Sequence, residues 1–228
     1  MNFKHFLLIL ALIIMGVFML LKESNAQSTT FERNMVTYNF TDGTEAFASD
    51  INQDGWTDFI TSGGGNNGKV VWWENSGYHD FIEHLVDPDL TWARSVCACD
   101  LDDDGDIDIV AAGTGANCIR WYENDGNENW TFHDVDDDFI GAHTVDIKDV
   151  DDDGKPDVLC SGFDNSPSNS EIAWWKNNLP DTIWTKQVIS TRFQQSPFIY
   201  GEDIDNDQDM DILACGELNG EVYWWEND

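Results

Sequence analysis

Positive charge is the scarcest property of this chain. Its 228 residues carry 11 lysines and arginines against 44 aspartates and glutamates, a formal net charge of −33. A surface that acidic repels phosphodiester backbones and anionic bilayers, which excludes nucleic acid and membrane surfaces as partners. Cysteine is sparse and odd in number, with Cys97, Cys99, Cys118, Cys160 and Cys215, and such a count does not make a disulfide framework. No apolar run comparable to the one ending at Leu21 follows it, so no later segment is expected to span a membrane. The chain also lacks G-x-S-x-G, H-E-x-x-H and a glycine-rich phosphate loop, the signatures of common hydrolases, zinc proteases and nucleotide-binding proteins.

What is present is enough apolar material for a core, at 41% hydrophobic and 13% aromatic residues, and a surplus of carboxylates that needs a local counter-charge. The N-terminus reads as an export signal: a lysine, the apolar run Phe6–Leu21, then the small residues Ser24 and Ala26. The expected organisation is a signal peptide over 1–26 and one domain over 27–228. The protein is then secreted or at the cell surface, with the periplasm as the alternative, and has no membrane span once the signal is cleaved.

A single unit is written four times. Its marker is a nine-residue acidic loop: Asp50-Ile-Asn52-Gln-Asp54-Gly-Trp56-Thr-Asp58, then Asp100-Leu-Asp102-Asp-Asp104-Gly-Asp106-Ile-Asp108. The third and fourth are Asp149-Val-Asp151-Asp-Asp153-Gly-Lys155-Pro-Asp157 and Asp203-Ile-Asp205-Asn-Asp207-Gln-Asp209-Met-Asp211. Each is preceded by a short β-like run and followed by two more, the second of which carries a signature: Trp72-Trp73-Glu74-Asn75, Trp121-Tyr122-Glu123-Asn124, Trp174-Trp175-Lys176-Asn177 or Trp224-Trp225-Glu226-Asn227. A fourth run follows in three of the units, and its counterpart for the last unit is read at 31–38, near the N-terminus. Four strands per unit of about 50 residues is the size of a propeller blade. The expected fold is therefore all-β, a β-propeller of four four-stranded blades over about 40–89, 90–139, 140–193 and 194–228, closed by the strand at 31–38.

Oxygen donors recur in the loops at positions 1, 3, 5 and 9. Hard cations such as calcium take six to eight oxygens, and this spacing wraps side-chain oxygens about one point. The carbonyl at position 7, from Trp56, Asp106, Lys155 or Asp209, is expected to add another, giving up to four Ca2+ ions. An EF-hand would need a glutamate at position 12 and flanking helices, whereas position 12 here is Thr61, Ala111, Cys160 or Ala214. Asn52 lowers the charge of loop one, and Gln208 stands where the turn of loop four wants a positive φ. Loops two and three are therefore expected to bind tightest.

The pattern D-x-D-x-D-G-x-x-D within a unit of about 50 residues, followed by W-[WY]-E-N, resembles the FG-GAP/VCBS repeat family, which includes the integrin α-subunit propeller. The literal Phe-Gly and Gly-Ala-Pro segments are not recognisable, which places the chain nearer the VCBS type. The resemblance implies a calcium-stiffened propeller used in adhesion or as a binding module, with the four loop positions above as metal ligands.

If the acidic loops share one face of the ring, the loops at the other strand ends share the opposite face. That face is expected to display Trp92, Arg94, His143, Arg192 and Phe193, a surface suited to a protein or carbohydrate ligand. The expected function is a calcium-binding interaction or adhesion module without catalytic activity. The alternative is a carbohydrate-active enzyme or its carbohydrate-binding accessory domain. Cys97 and Cys99, two apart on one strand, are the one cysteine pair that stands out, with their reactivity left open.

Overall fold

The computed structural model of the chain describes residues 31–37, 39–78, 80–164, 170–180, 183–191, 195–216 and 220–227. The signal segment over 1–26 lies outside them. The chain divides into two units, Met1–Met35 and Val36–Asp228; the first is described only over 31–35, which form no regular structure.

The second unit is all β. Sheet one is β1 (Gly43–Ser49), β2 (Asp58–Gly63), β3 (Lys69–Asn75) and β4 (Phe81–Asp87); sheet two is β5 (Ala93–Cys99), β6 (Asp108–Gly113), β7 (Cys118–Asn124) and β8 (Trp130–Asp136). Sheet three is β9 (Ala142–Lys148), β10 (Asp157–Gly162), β11 (Ile172–Lys176) and β12 (Thr185–Ser190); sheet four is β13 (Phe198–Glu202), β14 (Asp211–Gly216) and β15 (Glu221–Trp225). Within each sheet every strand pairs antiparallel with its sequence neighbour. First strands of successive sheets adjoin: β1 packs beside β5, β5 beside β9, and β9 beside β13.

Three apolar clusters fill the spaces between consecutive sheets. One joins Ile60 and Trp72 of sheet one to Val96, Ile109 and Tyr122 of sheet two. The next joins Val110 and Trp121 to Val145, Val158 and Trp175, and the last joins Leu159 and Ile172 to Ile199 and Ile212. These strands read as near-continuous apolar runs because both faces are covered. Strand β6, for instance, is buried at all six of its residues. The signature aromatics are the largest contributors: Trp72, Tyr122 and Trp175 are at most 1% exposed, and fully burying one such side chain stabilises by roughly 1.5–3 kcal/mol.

The expected strand at 31–38 is corrected. Residues 31–37 form no strand, and sheet four has three strands among the described residues. The physical reason lies in the segment's own side chains. Phe31 and Met35 are 95% and 62% exposed, so no burial offsets the entropy of ordering them. The outer strand β15 consequently keeps its signature residues Tyr223 and Trp224 in solvent, where the equivalent Val71 and Trp72 of sheet one are fully covered.

All five cysteines are free thiols. Burial lifts the thiol pKa at Cys97 and Cys118, the latter to about 11, and brings Cys99 to about 12. The pair at 97 and 99 is thus held protonated, the unreactive state.

Candidate metal centres and the opposite face

Each acidic loop joins the first strand of its sheet to the second, and all four are built by the same hydrogen bonds. The carboxylate at position 1 accepts the N–H groups of positions 5 and 6. In loop two Asp100 takes Asp104 and Gly105 at 3.2 and 3.0 Å, and in loop three Asp149 takes Asp153 and Gly154 at 3.1 and 2.9 Å. Wrapping the chain this tightly puts two residues of each loop in the left-handed region. Position 4 (Gln53, Asp103, Asp152, Asn206) has φ between 55° and 66°. Position 6 is Gly55, Gly105 or Gly154 at φ 84° to 98°, and Gln208 in loop four at 84°. Nothing lies within 4 Å of a Cβ built on those three glycines, so glycine is there for φ and not for space.

The carboxylate at position 9 also ties its loop to the sheet. Asp58, Asp108, Asp157 and Asp211 are at most 1% exposed. Each accepts the N–H of position 2 with one oxygen, at 3.1 Å from Ile51 and Leu101, 3.0 Å from Val150 and 2.9 Å from Ile204. The other oxygen accepts the N–H of the signature asparagine, Asn75, Asn124, Asn177 or Asn227, at 2.7 to 2.9 Å. Burial raises the Asp108 pKa to about 7 and that of Asp157 to about 6, despite these donors. The asparagine amides carry the link onward: Asn177 Nδ2 donates to Leu101 O of the preceding unit at 2.8 Å, and Asn227 Nδ2 to Val150 O at 3.1 Å. Sequence reading placed this asparagine in the signature without a role; its recurrence two residues after every W-[WY] pair was the available signal.

Three clusters bring carboxylate oxygens within 4.8 Å of one another: Asp100, Asp102 and Asp104; Asp149, Asp151 and Asp157; Asp203, Asp205 and Asp211. Loop one, with Asn52 at position 3, does not form one of these three. The surroundings then separate loops two and three. In loop two, Asp102 Oδ1 is buried and has no hydrogen-bond partner; burial and the neighbouring Asp104, Glu123 and Asp100 all raise the Asp102 pKa. In loop three, Lys176 Nζ reaches both Asp151 and Asp153, the latter at 2.9 Å. The ammonium lowers the Asp153 pKa, and the two carboxylates raise that of Lys176.

Lys176 holds the signature position that is Glu74 in sheet one and Glu123 in sheet two. Those glutamates turn to the next strand, each 2.7 Å from a histidine, His84 and His133. The histidines stack on Trp72 and Trp121, ring centroids 4.2 and 4.6 Å apart. Gln187 faces Trp174 in the third sheet, so Lys176 has no histidine to bind and extends over loop three instead.

At the other ends of the strands Trp92, Arg94 and His143 line one cleft with Thr114, Gly115 and Phe163. Arg192 and Phe193, expected on the same face, lie outside the described residues. Arg94 Nε donates to His143 Nε2 at 3.0 Å. Nδ1 of His143 stands 3.2 Å from Thr144 Oγ1, whose own proton goes to Pro197 O at 2.7 Å. These partners fix a neutral imidazole protonated at Nδ1, and burial together with Arg94 lowers its pKa to about 4.

Fold and loops together define an all-β repeat protein whose acidic loops are tied to their own sheets through buried aspartates. The FG-GAP-like repeat matches it three times, over residues 50–111, 100–160 and 149–214, and the chain belongs to that family. No curated protein matches the chain with significant similarity.

Proposed function

We propose that the protein is a secreted β-propeller module for interaction or adhesion, stiffened by calcium in its acidic loops and acting by binding without catalysis. The adjacency of β1, β5, β9 and β13 supports a radial arrangement of four blades. The repeat family, used in adhesion and binding modules, supports the function.

The observation that carries the calcium reading is the buried Asp102 Oδ1 with no partner, beside Asp100 and Asp104. A buried carboxylate oxygen left unpaired costs on the order of 1–3 kcal/mol, and an all-oxygen donor set suits a hard cation. Asp100, Asp102 and Asp104 would hold the ion in loop two, and Asp203, Asp205 and Asp211 in loop four. Bound calcium would supply positive charge that relieves carboxylate repulsion and locks each loop to its strands. Loop three is different in kind: Lys176 already neutralises Asp151 and Asp153 and competes with any ion there. The test is a thermal melt of the protein in EDTA and in calcium, with calorimetric counting of bound ions. A large upward shift is expected; an unchanged melt and no binding heat would leave the loops as turns only.

A further inference from the structure

We propose that the cleft between the second and third sheets, opposite the acidic loops, binds an acidic saccharide, with a uronate carboxylate on Arg94 and the pyranose face on Trp92. The proposal rests on the reading of the chain as a binding module but not on calcium. Three observations carry it.

The cleft is a cavity of about 340 Å³ lined by Trp92, Arg94, Thr114, Gly115, His143 and Phe163. Among the described residues no carboxylate lines it, in a chain with 44 acidic residues. Arg94 is exposed and forms no ion pair among the described residues, whereas Arg120 pairs with Asp87, Lys176 with Asp151 and Lys186 with Glu171. Its Nε is committed to a neutral histidine, which orients the guanidinium and leaves its terminal nitrogens for a ligand. A planar fork of N–H donors is matched to a carboxylate.

Trp92 is the second observation. Its backbone carbonyl accepts the N–H of Thr114, as that of Asp42 accepts Gly64 and that of Gly141 accepts Phe163, so the three positions are equivalent. All three have positive φ, 53° at Asp42 and Trp92 and 68° at Gly141. Glycine adopts that conformation freely, whereas a bulky side chain there is strained by about 1–2 kcal/mol. Tryptophan nevertheless stands at the position, 47% exposed.

The third is the room made for its ring. A Cβ on Gly115 would lie 2.6 Å from Trp92 Cδ1, so only glycine lets the indole lie against that loop. A partly exposed indole beside an unpaired guanidinium offers an apolar face for the C–H side of a pyranose and donors for its acid group.

The probe is trigalacturonate titrated into the calcium-loaded protein, followed by calorimetry and tryptophan fluorescence, with neutral galactotriose and a short oligoglutamate as comparisons. Trigalacturonate is expected to bind and galactotriose to bind at least tenfold more weakly. Arg94→Gln should weaken trigalacturonate on the order of 10- to 100-fold, the loss of a charge-assisted pair, with the melting temperature unchanged. Trp92→Gly, which suits the left-handed backbone, should abolish the fluorescence change without unfolding the protein. The proposal is overturned if trigalacturonate does not bind, if the neutral sugar binds equally, or if binding survives both substitutions. It is also overturned if oligoglutamate binds as tightly with the same dependence on Arg94, which would make the site one for acidic peptides. Failure of the calcium reading would show separately, as a melt that EDTA does not shift.

Discussion

Loops two and three share four hydrogen bonds and two left-handed residues: the same position-1 turn, the same buried position-9 joint, the same positive φ at 4 and 6. They differ in what sits over the carboxylates. Loop two has Glu123 nearby and an orphaned Asp102 oxygen; loop three has an ammonium between Asp151 and Asp153. One residue outside the loop, the third of the signature, makes the difference. The loop motif therefore specifies the backbone wrap, while the neighbouring strand sets the charge that stands over it.

The largest expected effect lies in what the two loops share. Asp108→Ala and Asp157→Ala each strand two buried backbone N–H groups and should each cost about 2–4 kcal/mol in chemical denaturation with EDTA present. Unequal losses would show that the joint is not common to both loops. Next comes the difference itself. Glu123→Lys, which copies the third unit into the second, should weaken calcium at loop two by tenfold or more in calorimetric titration, with little change in metal-free stability; undiminished affinity would break the comparison.

A smaller effect concerns loop four. Gln208→Gly relieves a side chain held at φ 84° and should stabilise by about 1 kcal/mol, read as a raised melting temperature. The same change in loops two and three is already made by Gly105 and Gly154. The smallest is on the opposite face. His143 has a folded pKa of about 4, below the ordinary histidine value of 6.5, so the stability held by its neutral form is present above pH 6.5 and is lost as pH falls toward 4. His143→Gln should therefore flatten stability between pH 6.5 and 4 relative to the unsubstituted protein; parallel curves would mean that the imidazole is free to protonate.

Much of this was legible in the residues. The four loops, the strands beside them and the signature strands β3, β7, β11 and β15 follow from a period of about 50 residues, because a repeated unit must repeat its hydrogen bonds. The demand for a positive φ at position 6 was also readable, and Gln208 meets it at a cost. The strand at 31–38 was not, because a match to the template of the fourth run says that a strand has a face to bury and not that a partner covers it. The role of position 9 was hidden for a related reason. Spacing counts an aspartate as a ligand, but only packing reveals that Asp108 and Asp157 also accept a backbone N–H on each oxygen. Lys176 was visible as a departure from glutamate, yet its target loop lies 25 residues earlier and becomes apparent only when Gln187, in the place of a histidine, leaves nothing else for that position to bind.

The most direct test is a calorimetric calcium titration of the protein beside its Lys176→Glu variant. Removing the ammonium and restoring the signature glutamate should free loop three, so the variant takes up one more tightly bound calcium ion and gains a larger calcium-dependent rise in melting temperature. Equal stoichiometry and equal affinity in the two proteins would contradict the account, because Lys176 would then have no part in deciding which loop holds an ion.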